Sequence, residues 1–174
     1  MNKAKWVADG IDSINRWIGE KASLLLIPLM GIALLEVILR YAFNRPTIWA
    51  WDVNIQLGAA LISLTGAYIL LDGLFVRVDI VISRLPPRLR LWVDLVTSVV
   101  PLFAVGILVK LGIEHAWRSS LAQEHLSTTW MPPIYPLRIV VAIGFVLLFL
   151  QIIANVIRSV LGALGYGQPI VEPK

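Results

Sequence analysis

Two acid–imidazole pairs, Glu114–His115 and Glu124–His125, are the residues of this chain that first suggest metal or haem chemistry. Their placement argues against it. They lie outside the expected spans and follow no metal-ligand spacing. A haem held by two histidines in a helical bundle needs both inside the helices, so His115 and His125 read as solvated loop residues. The chain has no cysteine, which removes thiol catalysis, disulfide frameworks and cysteine-based zinc sites. HExxH, P-loop and GxSxG signatures are absent, as are paired catalytic carboxylates. No cofactor, metal or enzymatic activity is expected.

The remaining polar groups of interest sit inside strongly apolar runs, where an ionisable side chain is costly and asks for a partner or a role. Glu36 and Arg40 are four apart on one helical face and well placed to pair. Asp52, Gln56, Ala59, Ser63 and Ala67 share one stripe, whose small members let another helix approach closely. Gln151, Asn155 and Arg158 form a third stripe, and Asp94 can be offset by Arg90 one turn earlier. Such groups could line a solute or proton path, or they could be polar seams joining helices to one another or to another protein. The seam reading fits better. Most of these groups lie near span ends, and mid-depth offers only Ser63, Thr65 and Thr97. No pair of Gly/Pro-broken helices in corresponding halves marks a midplane ion site.

The elements that position these residues follow from composition. Of 174 residues, 58% are hydrophobic and 15% charged, and the mean hydropathy is +0.80. Soluble domains hold roughly 45–50% apolar and about 25% charged residues. A transmembrane helix needs about 20 apolar residues to cross a core of about 30 Å. Four stretches qualify: 22–39, 50–71, 91–113 and 134–161. The fold class is therefore all-α, a single four-span membrane domain. Lipid forces every backbone group to be satisfied within its segment, and the runs lack the alternation of barrel strands. Asp9, Asp12 and Glu20 precede the first run and no small-residue cleavage pattern follows it, so that span is expected to stay in the mature chain.

Before span one, Val7, Ile11, Ile14 and Ile18 recur at helical spacing, with Lys5, Asp12 and Arg16 on other faces. Residues 1–21 read as an amphipathic helix along the inner membrane surface; the alternative is an extension of span one. Pro28 and Pro101 are expected to kink their helices.

Lys and Arg set the orientation. Lys3, Lys5, Arg16, Lys21, Arg77, Arg84, Arg88, Arg90, Arg158 and Lys174 fall on one side, and Arg40, Arg45, Lys110, Arg118 and Arg138 on the other. The richer side is expected to be cytoplasmic, and so are both termini. The tryptophans agree: Trp6, Trp17 and Trp92 fall at the inner boundary, Trp49, Trp51, Trp117 and Trp130 at the outer. The net charge of +4 serves orientation; no basic stretch is interleaved with exposed aromatics, so nucleic acid is not an expected partner.

The joint between spans one and two reads Glu36-Val-Ile-Leu-Arg-Tyr-Ala-Phe-Asn-Arg-Pro46 and continues Thr-Ile-Trp-Ala-Trp-Asp52. It resembles the small membrane subunit of tripartite ATP-independent periplasmic (TRAP) transporters, the DctQ-like family. That family's pattern is R-Y-x-F-N-x-x-x-x-W-x-x-E/D, matched here by Arg40, Tyr41, Phe43, Asn44, Trp49 and Asp52. A second segment, from Gly73 through Arg77 to Asp79 and on to Leu85-Pro86, is similar to the family's G-x-H-V-x-V-D and closing L-P. Phe75 stands where the family often has histidine. Trp130-Met-Pro-Pro-Ile-Tyr-Pro136, leading into span four, is also similar. Arg40 and Asp52 end consecutive antiparallel helices, and a charge-assisted hydrogen bond between them is expected to clamp the hairpin.

The resemblance implies a place in the bacterial inner membrane and two protein partners. A periplasmic solute-binding protein captures the solute, often an organic acid. A large polytopic membrane subunit moves it, coupled to sodium. The small subunit braces that large one and offers part of the docking surface, here Trp117 to Pro133. Two alternatives remain beside it: a self-contained homodimeric secondary transporter, and a redox subunit, which the absence of cysteine and of intraspan histidine disfavours.

Overall fold

The computed structural model describes residues 3–73 and 87–163. Five helices account for most of them: α1 (Lys3–Ser23), α2 (Leu26–Tyr41), α3 (Ala50–Leu71), α4 (Pro87–Ala122) and α5 (Tyr135–Ala163). Four helical stretches are long and apolar enough to cross a membrane, with α1 and α2 together supplying the first. The chain is all-helical and four-span, as composition and run length require. Phe75, Arg77, Asp79 and the Leu85–Pro86 pair lie outside the described residues, and so do the side chains of Arg90, Asp94 and Thr97.

α1 passes into α2 through a break at Leu24 and Leu25. The turn is closed by short-range bonds: Leu24 N–H to the Lys21 carbonyl (3.2 Å), Leu25 to Ala22 (2.9 Å) and Ile27 to Leu24 (3.1 Å). Pro28 supplies the cause. It has no N–H to offer the Leu24 carbonyl, and its ring displaces that carbonyl from the helical ladder. The deviation expected at Pro28 thus appears one turn upstream. Pro101, by contrast, sits within a continuous α4.

α5 is the centre of the bundle, flanked by α4, α3 and α1, while α2 packs chiefly on α3. The core is built of small side chains: Ala22, Ala50, Ala67, Ala116, Ala142 and Ala154 are buried, and α2 buries nothing. Lipid gives apolar side chains no reason to hide, so helix contact depends on smooth surfaces that approach closely. α5 and α3 approach closely: a Cβ added to Gly144 would lie 2.4 Å from the Ser63 carbonyl oxygen. The Ser63–Ala67 part of the small-residue stripe is thus occupied within the chain. Ser63 and Thr65 return their hydroxyls to their own helix, each donating to the carbonyl four residues earlier (2.7 Å).

α1 packs on α3 and α5 through Ala8, Asp12, Asn15, Gly19 and Ala22, which recur at alternating steps of four and three. Val7 and Ile14 of the expected apolar face are exposed beside Trp6 and Trp17. The small polar face of α1 thus meets protein and its apolar face looks outward. α4 is longer than the expected span, continuing from Ile113 to Ala122, where Gln123 caps it in a left-handed conformation (φ 48°). There the Glu124 N–H reaches the Ser119 carbonyl (3.1 Å) and the Gln123 N–H that of Ser120 (3.4 Å), two bonds that satisfy the last turn.

Candidate functional site

The polar residues singled out by sequence gather at the two ends of the bundle. At the end that holds the α2–α3 joint, called the outer end after the orientation expected from sequence, Glu36 is the hub. One carboxylate oxygen accepts from Arg40 Nε (3.0 Å) and Nη2 (2.6 Å); the other accepts from the Thr47 N–H (3.1 Å) and the Thr47 hydroxyl. The Glu36–Arg40 pair expected from their spacing is formed. Thr47 is an addition: its hydroxyl also accepts from the Ala50 N–H (3.4 Å), so it caps α3 while tying that helix to α2. Thr47, three residues before the first helical position, is the signal that could have identified it.

The Arg40–Asp52 clamp is not formed. Arg40 is captured by its local partner Glu36, one turn back, and remains exposed. Asp52 is 3% exposed and accepts instead from the Thr128 hydroxyl (2.7 Å), joining α3 to the loop between α4 and α5. The two charges serve different joints of the same hairpin. Asp52→Ala is accordingly expected to lower stability by about 2 kcal/mol, because it strands a hydroxyl under the loop. Arg40→Ala should cost less than about 1 kcal/mol, as befits a half-exposed pair. Thermal unfolding in detergent separates them, and equal losses would return the clamp to consideration.

The rest of the joint motif has local causes. Asn44 takes the left-handed conformation (φ 51°), which asparagine tolerates better than most residues. The chain can then fold back so that the Arg45 N–H reaches the Leu39 carbonyl (2.9 Å) at the end of α2. Tyr41 and Phe43 are exposed and Trp49 is half-buried. Gln56 lies on α3 with its amide nitrogen buried and unpartnered among the described residues. Gly73 ends α3: its φ of 68° and its bond to the Leu70 carbonyl (3.4 Å) form a helix stop that favours glycine.

The loop of residues 123–134 is folded. An antiparallel bridge pairs His125 with Pro133, with bonds from the Leu126 N–H to Pro132 and from the Ile134 N–H to Glu124 (both 2.9 Å). Glu124 takes both arms of the Arg138 guanidinium (2.7 and 2.9 Å), locking the loop to α5. Glu124, named from sequence only as half of an acid–imidazole pair, is structural. His115 and His125 are exposed, and among the described residues no cluster of three or more acidic, histidine or cysteine side chains could hold a metal.

At the inner end, the Gln151–Asn155–Arg158 stripe closes on α1. Gln151, fully buried, accepts from the Asn15 amide and donates to Asp12 (3.0 Å) and Asn155 (3.5 Å). Arg158 pairs with Asp12 and, at 3.6 Å, with Asp9. Arg16 reaches Asp72 at 3.7 Å, tying α1 to the end of α3. The stripe therefore has its partner inside the chain. Asn15 was not singled out by sequence, and Asp12 only as lying off the apolar face, because neither takes part in the apolar periodicity on which the reading of α1 rests.

The arrangement offers joints at both ends and no reactive constellation among the described residues. A family model for tripartite ATP-independent periplasmic transporters, DctQ component, matches residues 29–162. No curated protein matches the chain.

Proposed function

From the premise that this chain belongs to the DctQ family, and so is a small membrane subunit of a TRAP transporter, we propose that it braces the large membrane subunit and helps to dock the solute-binding protein. The observation that carries this reading is where the polar groups are used. Glu36, Asp52 and Glu124 close separate joints at the outer end, with Thr47, Thr128 and Arg138, and Asp12, Gln151 and Arg158 are tied together at the inner. Small apolar contacts lie between them, as at Ser63 and Gly144. A helix bundle fastened at its ends and smooth in its middle is suited to holding another protein. A solute path requires polar groups at mid-depth of the interior.

In this proposal the chain lies in the inner membrane with both termini cytoplasmic, and the apolar flank of α1 rests at the inner surface. The folded loop of residues 123–134 stands at the periplasmic end. It exposes Trp130 and Met131 where a binding protein arrives. The transported solute, an organic acid in this reading, and the sodium coupling belong to the other two proteins.

Two measurements test the proposal. Solubilised in mild detergent, the chain should co-purify with a large polytopic subunit encoded beside it. Vesicles containing the chain alone should show no solute uptake, whereas vesicles with both membrane subunits and the binding protein should. Uptake by the chain alone would instead identify a self-contained transporter.

A further inference from the structure

α4 carries two lengthwise seams, and only one is used within the chain. The first, with Val105, Gly112, Ala116 and Ser119, packs on α5. The second consists of Val100, Phe103, Ile107, Lys110, Glu114, Trp117 and Leu121, separated by alternating steps of three and four residues. Every one of these side chains is exposed, Phe103 to 72% and Trp117 to 68%. That spacing is the seven-residue repeat by which one helix packs along another.

Two charges interrupt the seam, and their depth matters. Gly112 lies against Ala142 and Phe145, and Gly106 against Phe149, so α4 runs antiparallel to α5 with Lys110 near the level of Gly144. Gly144 in turn touches Ser63, midway along α3 between Asp52 and Asp72. Ten residues of helix, about 15 Å, therefore separate Lys110 from either end of the span. That exceeds what a lysine stem can bridge by snorkelling. Glu114 has Arg118 beside it, but Lys110 forms no ion pair among the described residues. On α2 the outward residues Ile27, Met30, Leu34, Leu35 and Ile38 are all apolar, as lipid demands. The α4 seam is not built for lipid.

We infer that the Val100–Leu121 seam of α4 receives one transmembrane helix of the large membrane subunit, and that this helix carries a carboxylate level with Lys110. The inference rests on the functional reading above and adds the contact face and its chemistry. A second copy of this chain does not fit. Two copies inserted with the same orientation and paired on this seam would set Lys110 against Lys110 and Glu114 against Glu114 at the same depth, with no water to screen them. A lone lysine in such a seam selects the partner and fixes its register, at a cost in stability if the counter-charge is missing.

A photo-reactive phenylalanine analogue placed in turn at Phe103, Ile107 and Trp117 tests the face, with Ile27, Met30 and Leu34 as controls. Irradiation of membranes containing the whole transporter should join the chain to the large subunit from the three seam positions and not from the controls. Adducts from the α2 positions alone, chain-to-chain adducts from the seam, or seam positions silent in a complex that still co-purifies would each overturn this inference and leave the functional reading standing. Failure to co-purify would remove both. For the counter-charge, Lys110→Glu and Lys110→Met should each lower recovery of the large subunit at least tenfold, while Lys110→Arg retains it. Lys110→Met removes a charge from the span and so does not hinder insertion. Undiminished recovery with Lys110→Met would refute the carboxylate.

Discussion

Gly144→Ala is expected to cost this protein about 2–3 kcal/mol, more than the loss of any exposed ion pair, although it adds a single methyl group. The added carbon would stand 2.4 Å from the Ser63 carbonyl oxygen and 2.7 Å from the carbonyl carbon. Both are backbone atoms and cannot rotate away. Relief requires α3 and α5 to separate, and separation loosens many contacts, each worth only about 0.1–0.2 kcal/mol but lost together. The unfolding midpoint in a denaturing-detergent titration reports the effect. A midpoint equal to that of the parent chain would mean that the two helices do not meet at this point.

Gln151→Leu should have the second large effect, roughly 2–3 kcal/mol, for a different reason. The new side chain suits lipid and fits the volume, but it leaves the buried Asn15 amide with only its long bond to the Leu147 carbonyl (3.5 Å) and one arm of Asp12 without a partner. α1 should then become accessible to protease while the other helices stay protected. The combined change Asn15→Leu with Gln151→Leu should be better tolerated than Gln151→Leu alone, since removing both halves of the Asn15–Gln151 bond leaves only the Asp12 arm unpaired. Strictly additive losses would show that the two amides act independently.

How much of this was legible beforehand depended on the range of the interaction. Helix-forming runs and local pairs such as Glu36–Arg40 are written in spacing, because periodicity alone brings those residues together. The small-residue stripe of α3 was legible for the same reason. The partners that close each end were not. Thr128 is 76 residues from Asp52, and Gln151 is 139 from Asp12, so no periodicity links them. The expected Arg40–Asp52 bond failed because a nearer carboxylate was available to the guanidinium. Lys110, counted with the outer charges when span three is taken to end at Ile113, lies deep once α4 is seen to continue to Ala122. The polar face of α1 was hidden by its own apolar face, which attracts attention first in a composition this hydrophobic.

The fastening of α5 has a mechanical consequence. It is one rod of 29 residues, gripped near its outer end by Glu124 through Arg138 and near its inner end by Asn15 and Asp12 through Gln151 and Arg158. Sliding the rod by one turn would break both grips at once, so axial slip is resisted while gentle bowing is not. A push on the outer loop therefore travels down α5 to α1 as displacement of a single beam. On the far side of the bundle, the break at Leu24–Leu25 supplies a joint at which the first span can absorb it.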